Sequence, residues 1–444
     1  MRTTARLLFL LGVIIAIVWP RYFYISLAGR GVSGFTLITL ILLAYGLFLF
    51  VFISAWQPTL LRGLPRTIVP LTAVGAYYGW RLICDANGID PGLSLWLTLN
   101  DIVFAASWLL IGAIFMSDAP TYRAFPYVLI ISAFVATIAG LAEFATGTPF
   151  LDLVGLSTFS AADEKVLSGI NAASSDANSF RIKAVFAHPI VYGQVMAMLA
   201  PLAVAFALNG SRRWRLAGVM LLPCIGIGII ICQSRSPFLV LGVALGMFFG
   251  AYTLDVRNKG RTLGFMAFTM LALVSSPFVL DRVMALTTGT NSRESGSTEI
   301  RELQMELAGS ALQSRPLGGY GSGMAGQYAG VEGRNDIITV DSAYVVAAVD
   351  SGYAGVTLYT IMLVVITLHG LLLALRERQS WQRGLLASFA ALIAGCALGL
   401  SVIAIDDALV LVFLSLGYFI SYSGRMASRR LSKSAAARVS SIRE

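Results

Sequence analysis

Twelve apolar stretches, most of them near the length at which a helix crosses a bilayer, constrain this chain more than any other feature. They run roughly over 7–19, 33–55, 67–83, 101–116, 126–146, 188–208, 215–232, 237–254, 263–280, 351–375, 385–404 and 407–422. A spanning helix needs about 20 predominantly apolar residues. A membrane β-barrel would show alternating segments of about 10 residues, and these runs do not alternate. The composition agrees: 57% of the 444 residues are hydrophobic and 12% are charged, with a mean hydropathy of +0.78, too little polar surface to cover a soluble globule. The first run follows Arg2 and Arg6 like a signal peptide, but it ends at Trp19-Pro20-Arg21 without a small-residue cleavage site and is read as a span.

The expected fold is therefore all-α and polytopic, with about twelve transmembrane helices and a large, partly helical loop. The expected organisation is N-terminal transmembrane helices over 1–146, a first loop over 147–187, central helices over 188–280, the large loop over 281–350, C-terminal helices over 351–422 and a basic tail over 423–444. Cys84, Cys224, Cys232 and Cys396 lie in or beside apolar runs, form no metal spacing and read as buried small hydrophobes.

Basic residues set the orientation. With the N-terminus in the cytoplasm, the cytoplasmic segments hold 20 Lys and Arg against 4 Asp and Glu, a balance of +16, and the other side holds 12 against 19, a balance of −7. That is the positive-inside asymmetry, with both termini inside. The net charge of +9 then reflects topology and anionic lipid headgroups rather than nucleic acid.

This assignment leaves two large segments outside, 147–187 and 281–340. Within the second, Thr298 to Ser314 has the spacing of a helix, with Ile300, Leu303, Leu307 and Ala311 on one face, Arg301, Gln304 and Met305 on the other, and Ser297 or Thr298 as cap. The Gly-rich segment Pro316-Leu-Gly-Gly-Tyr-Gly-Ser-Gly323 follows. So long a polar segment in such a chain reads as a lid. The first loop ends in Arg181-Ile-Lys183-Ala-Val-Phe-Ala-His188-Pro189, where Pro189 suits the first turn of the sixth span. A helix N-terminus flanked by Arg181, Lys183 and His188 is a ready anion site. Arg235, in the short link Gln233-Ser-Arg-Ser-Pro237, lies nearly inside the membrane, where a charge is expensive and marks function.

Arg181, Arg235 and Arg301 thus point to a phosphate or pyrophosphate, whose oxygens the guanidinium fork matches bidentately. Each also has a plainer account: a charge flanking a span for Arg181, snorkelling to headgroups for Arg235, and a solvated helix face for Arg301. His188 reads equally as a turn residue or as a catalytic group, and His369 as structural.

The pairing of Arg181…Phe186-Ala-His188-Pro189…Gly193 with Ser234-Arg235-Ser236 resembles the bacterial O-antigen ligase and O-antigen polymerase superfamily. So does Arg301…Arg315-Pro316-Leu-Gly-Gly319-Tyr-Gly321, followed by Asp341-Ser-Ala-Tyr344…Asp350-Ser-Gly352. The resemblance covers roughly residues 175 to 375. It implies a GT-C-like, multi-span inverting glycosyltransferase that takes glycan from a polyprenyl (undecaprenyl) pyrophosphate at the outer face of the inner membrane. Arg181, Arg235 and Arg301 would bind the donor pyrophosphate, and Arg315, Gly319, Gly321 and Tyr344 would shape the glycan cavity. Implied partners are the lipid-linked oligosaccharide, a growing polysaccharide or lipid acceptor, membrane lipids, and a flippase and chain-length regulator.

Family ligases that transfer to lipid A-core typically carry His where the last large loop meets the next helix, and this chain has Asp341. Asp341-Ser-Ala-Tyr344 looks more like the polymerase branch, which builds O-antigen, capsule or exopolysaccharide. Pyrophosphate leaves readily, so arginines that stabilise it supply most of the assistance. Asp341 or Asp350 could take the acceptor proton, with His188 as a further catalytic candidate, or either carboxylate could be capping or structural. No cofactor is implied, and no carboxylate cluster has metal-ligand spacing. The alternatives are a ligase, a flippase of lipid-linked sugars, in which internal repeats would be expected but none is clear, and a peptidoglycan glycan-strand polymerase. The Arg181–Pro189 and Ser234–Ser236 strings argue against the last.

Overall fold

The computed structural model describes residues 2–443 apart from 21–22, 28–29, 53–56, 155–174, 177–178, 254–291, 333–337 and 405–407. Its principal helices are α1 (Arg2–Val18), α2 (Gly34–Phe52), α3 (Ile68–Ala86), α4 (Pro91–Phe115), α5 (Ala119–Thr146), α6 (Pro189–Asn209), α7 (Arg212–Ile231), α8 (Ser236–Thr253), α9 (Ser292–Ser314), α10 (Ala325–Ala329), α11 (Ala343–Arg376), α12 (Ser380–Gly399) and α13 (Leu409–Arg443). Among the described residues nine are long and apolar enough to cross a membrane: α2, α4 to α8, α11, α12 and the Leu409–Arg429 part of α13. The chain is an all-α polytopic membrane protein.

The twelve apolar runs divide cleanly. Nine coincide with these helices. The runs at 7–19 and 67–83 form α1, which has only 17 residues, and α3, whose last turns carry Arg81 and Asp85. The run at 263–280 lies outside the described residues. The described strands form three short antiparallel pairs, Tyr24–Leu27 with Arg30–Ser33, Ser175–Asp176 with Ser179–Phe180, and Val331–Glu332 with Ile338–Thr339.

Helix α6 is the axis of the bundle. It is apolar on every side, as a helix enclosed by others must be. Val191, Val195, Met198, Leu202 and Phe206 are all buried, against α7, α8 and α12. None of the four cysteines is in a disulfide, and Cys84, Cys232 and Cys396 are buried.

Helix α9 begins at Ser292, six residues before the expected start at Thr298. Ser297 and Thr298 therefore fall inside the helix rather than at its cap position. The buried face also differs from the expected one. Ile300 and Leu303 are 38% and 44% exposed, whereas Gln304, Ala308 and Leu312 are at most 5% exposed. The seam is turned toward Gln304 because its amide bonds the backbone on the far side.

Helix α11 is broken near its start, and the break organises the loop. Gly352 has φ +73° and ψ −177°, so the helical ladder fails around it. Tyr320 N–H donates to Val349 O (3.0 Å), Gly321 N–H to Asp350 O (2.8 Å) and the Trp80 indole to Ser351 O (3.0 Å). Tyr353 N–H turns outward to Pro316 O at 2.8 Å. Three carbonyls next to the kink thereby find partners, as buried backbone must. A Cβ on Gly352 would lie 2.1 Å from Leu317 O. Gly352→Ala is therefore expected to cost more than the roughly 1–2 kcal/mol of a left-handed L-residue alone. Gly147→Ala, at φ +64° with nothing within 4 Å, should cost only that strain. Thermal unfolding of the two purified variants checks the difference, and equal melting temperatures would contradict it.

Candidate active site

Two polar groups lie on either side of the last turn of α12. The first is built by the N-terminus of α6, the string before it, and the link from α7 to α8. Gly193 lets the link approach: a Cβ there would lie 2.5 Å from Pro237 Cγ and 2.6 Å from Cys232 Sγ. Arg181 Nε donates to Cys232 O at 3.3 Å, which draws Arg181 to the link that holds Arg235. Both arginines are half-buried. The non-glycine residues with left-handed backbone among those described, Ala184 (φ 50°) and Gln233 (φ 49°), fall one in each string. Such outliers persist where the surroundings over-determine the chain, and they cluster at functional sites.

His188 sits beside them in a defensive role. It is the N-cap of α6, and its Nδ1 accepts from Ile190 N–H at 3.2 Å. Burial, with Arg181 and Lys183 nearby, pulls its pKa down to about 4. It is a neutral cap at physiological pH. Lys183 does not face solvent as an anion ligand would: it is 1% exposed, and burial lowers its pKa to about 8 against the pull of Glu143 and Asp152. Buried Glu143 accepts from Lys183 N–H at 3.1 Å and Phe150 N–H at 3.4 Å, tying α5 to both ends of the first loop.

The second group joins α9 to the start of α11. Arg301 Nε lies 3.7 Å from Asp341 Oδ2, and both side chains are about one-third exposed. Gln304, one turn beyond Arg301, clamps the approach: its Nε2 donates to Thr339 O (3.0 Å) and its Oε1 accepts from Asp341 N–H (3.1 Å). Asp341 does not cap α11, because Ser342 holds the cap position and no side chain caps there. Burial raises the pKa of Asp341, and Arg301 opposes that rise.

The last turn of α12 separates and connects the two groups. Gln194 on α6 donates to Ser236 Oγ and to Gly399 O, both at 3.3 Å. From the other side, Ala343 N–H donates to Leu400 O (2.9 Å) and Tyr344 Oη to Ala397 O (2.8 Å).

The remaining sequence candidates hold the loop in place. Asp350 Oδ2 and Oδ1 accept from Gly323 N–H (3.1 Å) and Ala325 N–H (2.9 Å), so both carboxylate oxygens are engaged by the Gly-rich segment. Gly319 and Gly321 have φ +63° and +98° and press against Val349 O and Ser94 Oγ. Arg315 lies over the Tyr320 ring at 5.5 Å, and that ring stacks on Tyr328 at 3.9 Å.

Sequence reasoning placed Gln304 on the polar face of its helix without giving it a role, and passed over a partly buried ion pair, Arg81 Nη1 to Asp101 Oδ2 at 2.5 Å. The available signal was a charge within or at the edge of an apolar run, the same signal that marked Arg235.

Residues 220–360 match the family model Wzy_C, described as O-antigen ligase. The matched stretch contains Arg235, Arg301, Asp341 and Asp350, while Arg181, His188, Arg81 and Asp101 precede it. No curated protein matches the chain.

Proposed function

We propose that this chain, a member of the O-antigen ligase and polymerase superfamily, is an inverting glycosyltransferase that joins polyprenyl-pyrophosphate-linked oligosaccharide units into a longer polysaccharide. The observation that carries this reading is the Arg301–Asp341 pair, with a carboxylate that the following helix does not use for capping and a guanidinium 3.7 Å from it. In the proposed step the acceptor hydroxyl oxygen attacks the anomeric carbon and the carbon–oxygen bond to pyrophosphate breaks on the opposite face. The lipid pyrophosphate leaves with the electron pair. Arg181, Arg235 and Arg301 stabilise its developing charge, and Asp341 takes the hydroxyl proton. Asp350 serves as a positioning residue that shapes the glycan cavity through Gly323 and Ala325, and His188 as the cap that aims the N-terminus of α6.

Two facts support polymerase over ligase. By the family resemblance Asp341 stands where ligases typically carry His, and the chain has only two histidines. One of them, His188, is committed to capping. The lipid-linked glycan profile of a deletion strain tests the choice. Accumulated single repeat units are expected; accumulated long chains would make the protein a ligase instead.

The proposal places the site at the periplasmic face of the inner membrane. A reporter fused after Gly210 or Arg378 is expected to read cytoplasm, and one within 290–335 periplasm. A cytoplasmic signal from the 290–335 fusion would invert the orientation and remove the site from its substrate.

A further inference from the structure

A cavity of about 400 Å³ lies between the N-terminal helices and the Gly-rich segment, lined by Arg81, Asp101, Ser322, Gly326, Val340 and Asp350 among others. It continues into a smaller one of about 40 Å³ that shares Arg81, Asp101 and Asp350 and reaches Tyr77 and Tyr359. The larger volume falls in the range of about 300–1,000 Å³ typical of small-molecule sites.

The lining is built rather than incidental. Arg81 Nε donates to Ser322 Oγ (3.1 Å), which also pairs with Thr98 Oγ1 (3.0 Å), and Tyr78 Oη reaches Asp101 Oδ2 at 3.4 Å. Directly after Asp101 the helix is wound as π over Ile102–Ala106. Single π turns inside α-helices recur at functional sites, where they re-aim a side chain.

The chemistry of this lining selects its ligand. One guanidinium faces two carboxyl groups, so the cavity carries no net positive charge and does not suit a pyrophosphate. Ser322 and Asp350 are engaged within the protein, so the donors and acceptors that Arg81 and Asp101 keep beyond their mutual bond are the ones that suit a neutral polyhydroxyl ring. Leu97, Val340 and Val346 supply an apolar wall for its C–H face. Position selects the role. Val340 lines the cavity, and the next residue is Asp341, the proposed base.

We propose that the Arg81–Asp101 cavity is the subsite that seats the acceptor sugar. This inference rests on the glycosyltransferase reading above. The test uses full-length protein in nanodiscs, the lipid-linked repeat unit as donor, and the same oligosaccharide released from its lipid as acceptor. Asp101→Asn removes charge from the cavity. Gly326→Leu adds bulk at the lining and leaves the ion pair intact, since a Cβ there has only Ile338 Cγ2 within reach, at 4.0 Å. In both variants the acceptor KM should rise about tenfold, the scale of one lost charge-assisted hydrogen bond, with the donor KM within about twofold of wild type. A donor KM that rises in step, or an acceptor KM unmoved in folded Gly326→Leu, would overturn the subsite. Calorimetric titration of the released oligosaccharide without donor separates this inference from its premise. Binding to wild type that is lost in Gly326→Leu supports the subsite even if no transfer is seen, in which case the glycosyltransferase reading fails. Transfer between lipid-linked units without any binding or use of the released oligosaccharide sinks the subsite alone.

Discussion

Arg301→Ala is expected to lower glycan transfer by about 10²–10³-fold, the usual loss when one preorganised donor to developing charge is removed. The lid should stay seated in this variant. Helix α9 is anchored by buried Gln304, Ala308 and Leu312, and Arg301 is one-third exposed. Its ion pair at 3.7 Å is long and partly solvated, worth little to stability. Arg301→Lys should recover only a small part of the rate, since a point charge does not reproduce a fork that can hold two phosphate oxygens. Arg235→Ala and Arg181→Ala should be comparably damaging. The measurement is transfer by purified protein from a lipid-linked donor, with elution volume and melting temperature as controls. Activity within threefold of wild type for folded Arg301→Ala would remove this arginine from the donor site.

How much of this was legible in the sequence depends on how local each feature is. Spans are one-dimensional, and every apolar run that falls on described residues is a helix. The kink in α11 was half-legible: Gly352 stood within the string that carried the family resemblance, but its role depends on Leu317 and Tyr320, more than 30 residues earlier. The face of α9 was misjudged because apolarity was taken as the only reason to bury a residue. Gln304 is 1% exposed since its amide satisfies two backbone groups at once, and periodicity of hydrophobes carries no trace of that.

Pairings across the fold were the least legible. Arg301 and Asp341 were both singled out, for different reasons, and nothing in a separation of 40 residues says that they meet. Arg81 and Asp101 carried the signal that marked Arg235, a charge within or at the edge of an apolar run, but both precede the stretch that resembles the family. In a bilayer-spanning chain even a partly buried ion pair such as this one costs more in desolvation than an apolar pair of similar size. Its retention at a cavity is what gives the pair functional weight.

Asp341→Asn is expected to cost about 10²–10⁴-fold in turnover, the range for a lost general base. Loss of a helix cap does not compete as an explanation, because Ser342 occupies the cap position and the carboxylate faces Arg301 instead. The pH dependence separates a base from a mere ligand for Arg301. Burial raises the pKa of Asp341, and the Arg301 cation holds back part of that rise. A base works only when ionised, so wild-type turnover should fall as pH drops through this raised pKa. Taking away the cation disfavours the ionised form, so the residual activity of Arg301→Ala should begin to fall at a higher pH than wild type. Arg301→Lys keeps a positive charge, so its acid limb should stay near the wild-type position although its rate is low. The acid limb should vanish in Asp341→Asn, whose residual turnover no longer depends on that proton. An Asp341→Asn enzyme with full activity and an unmoved acid limb would leave the arginines to carry the reaction by stabilising the leaving group alone.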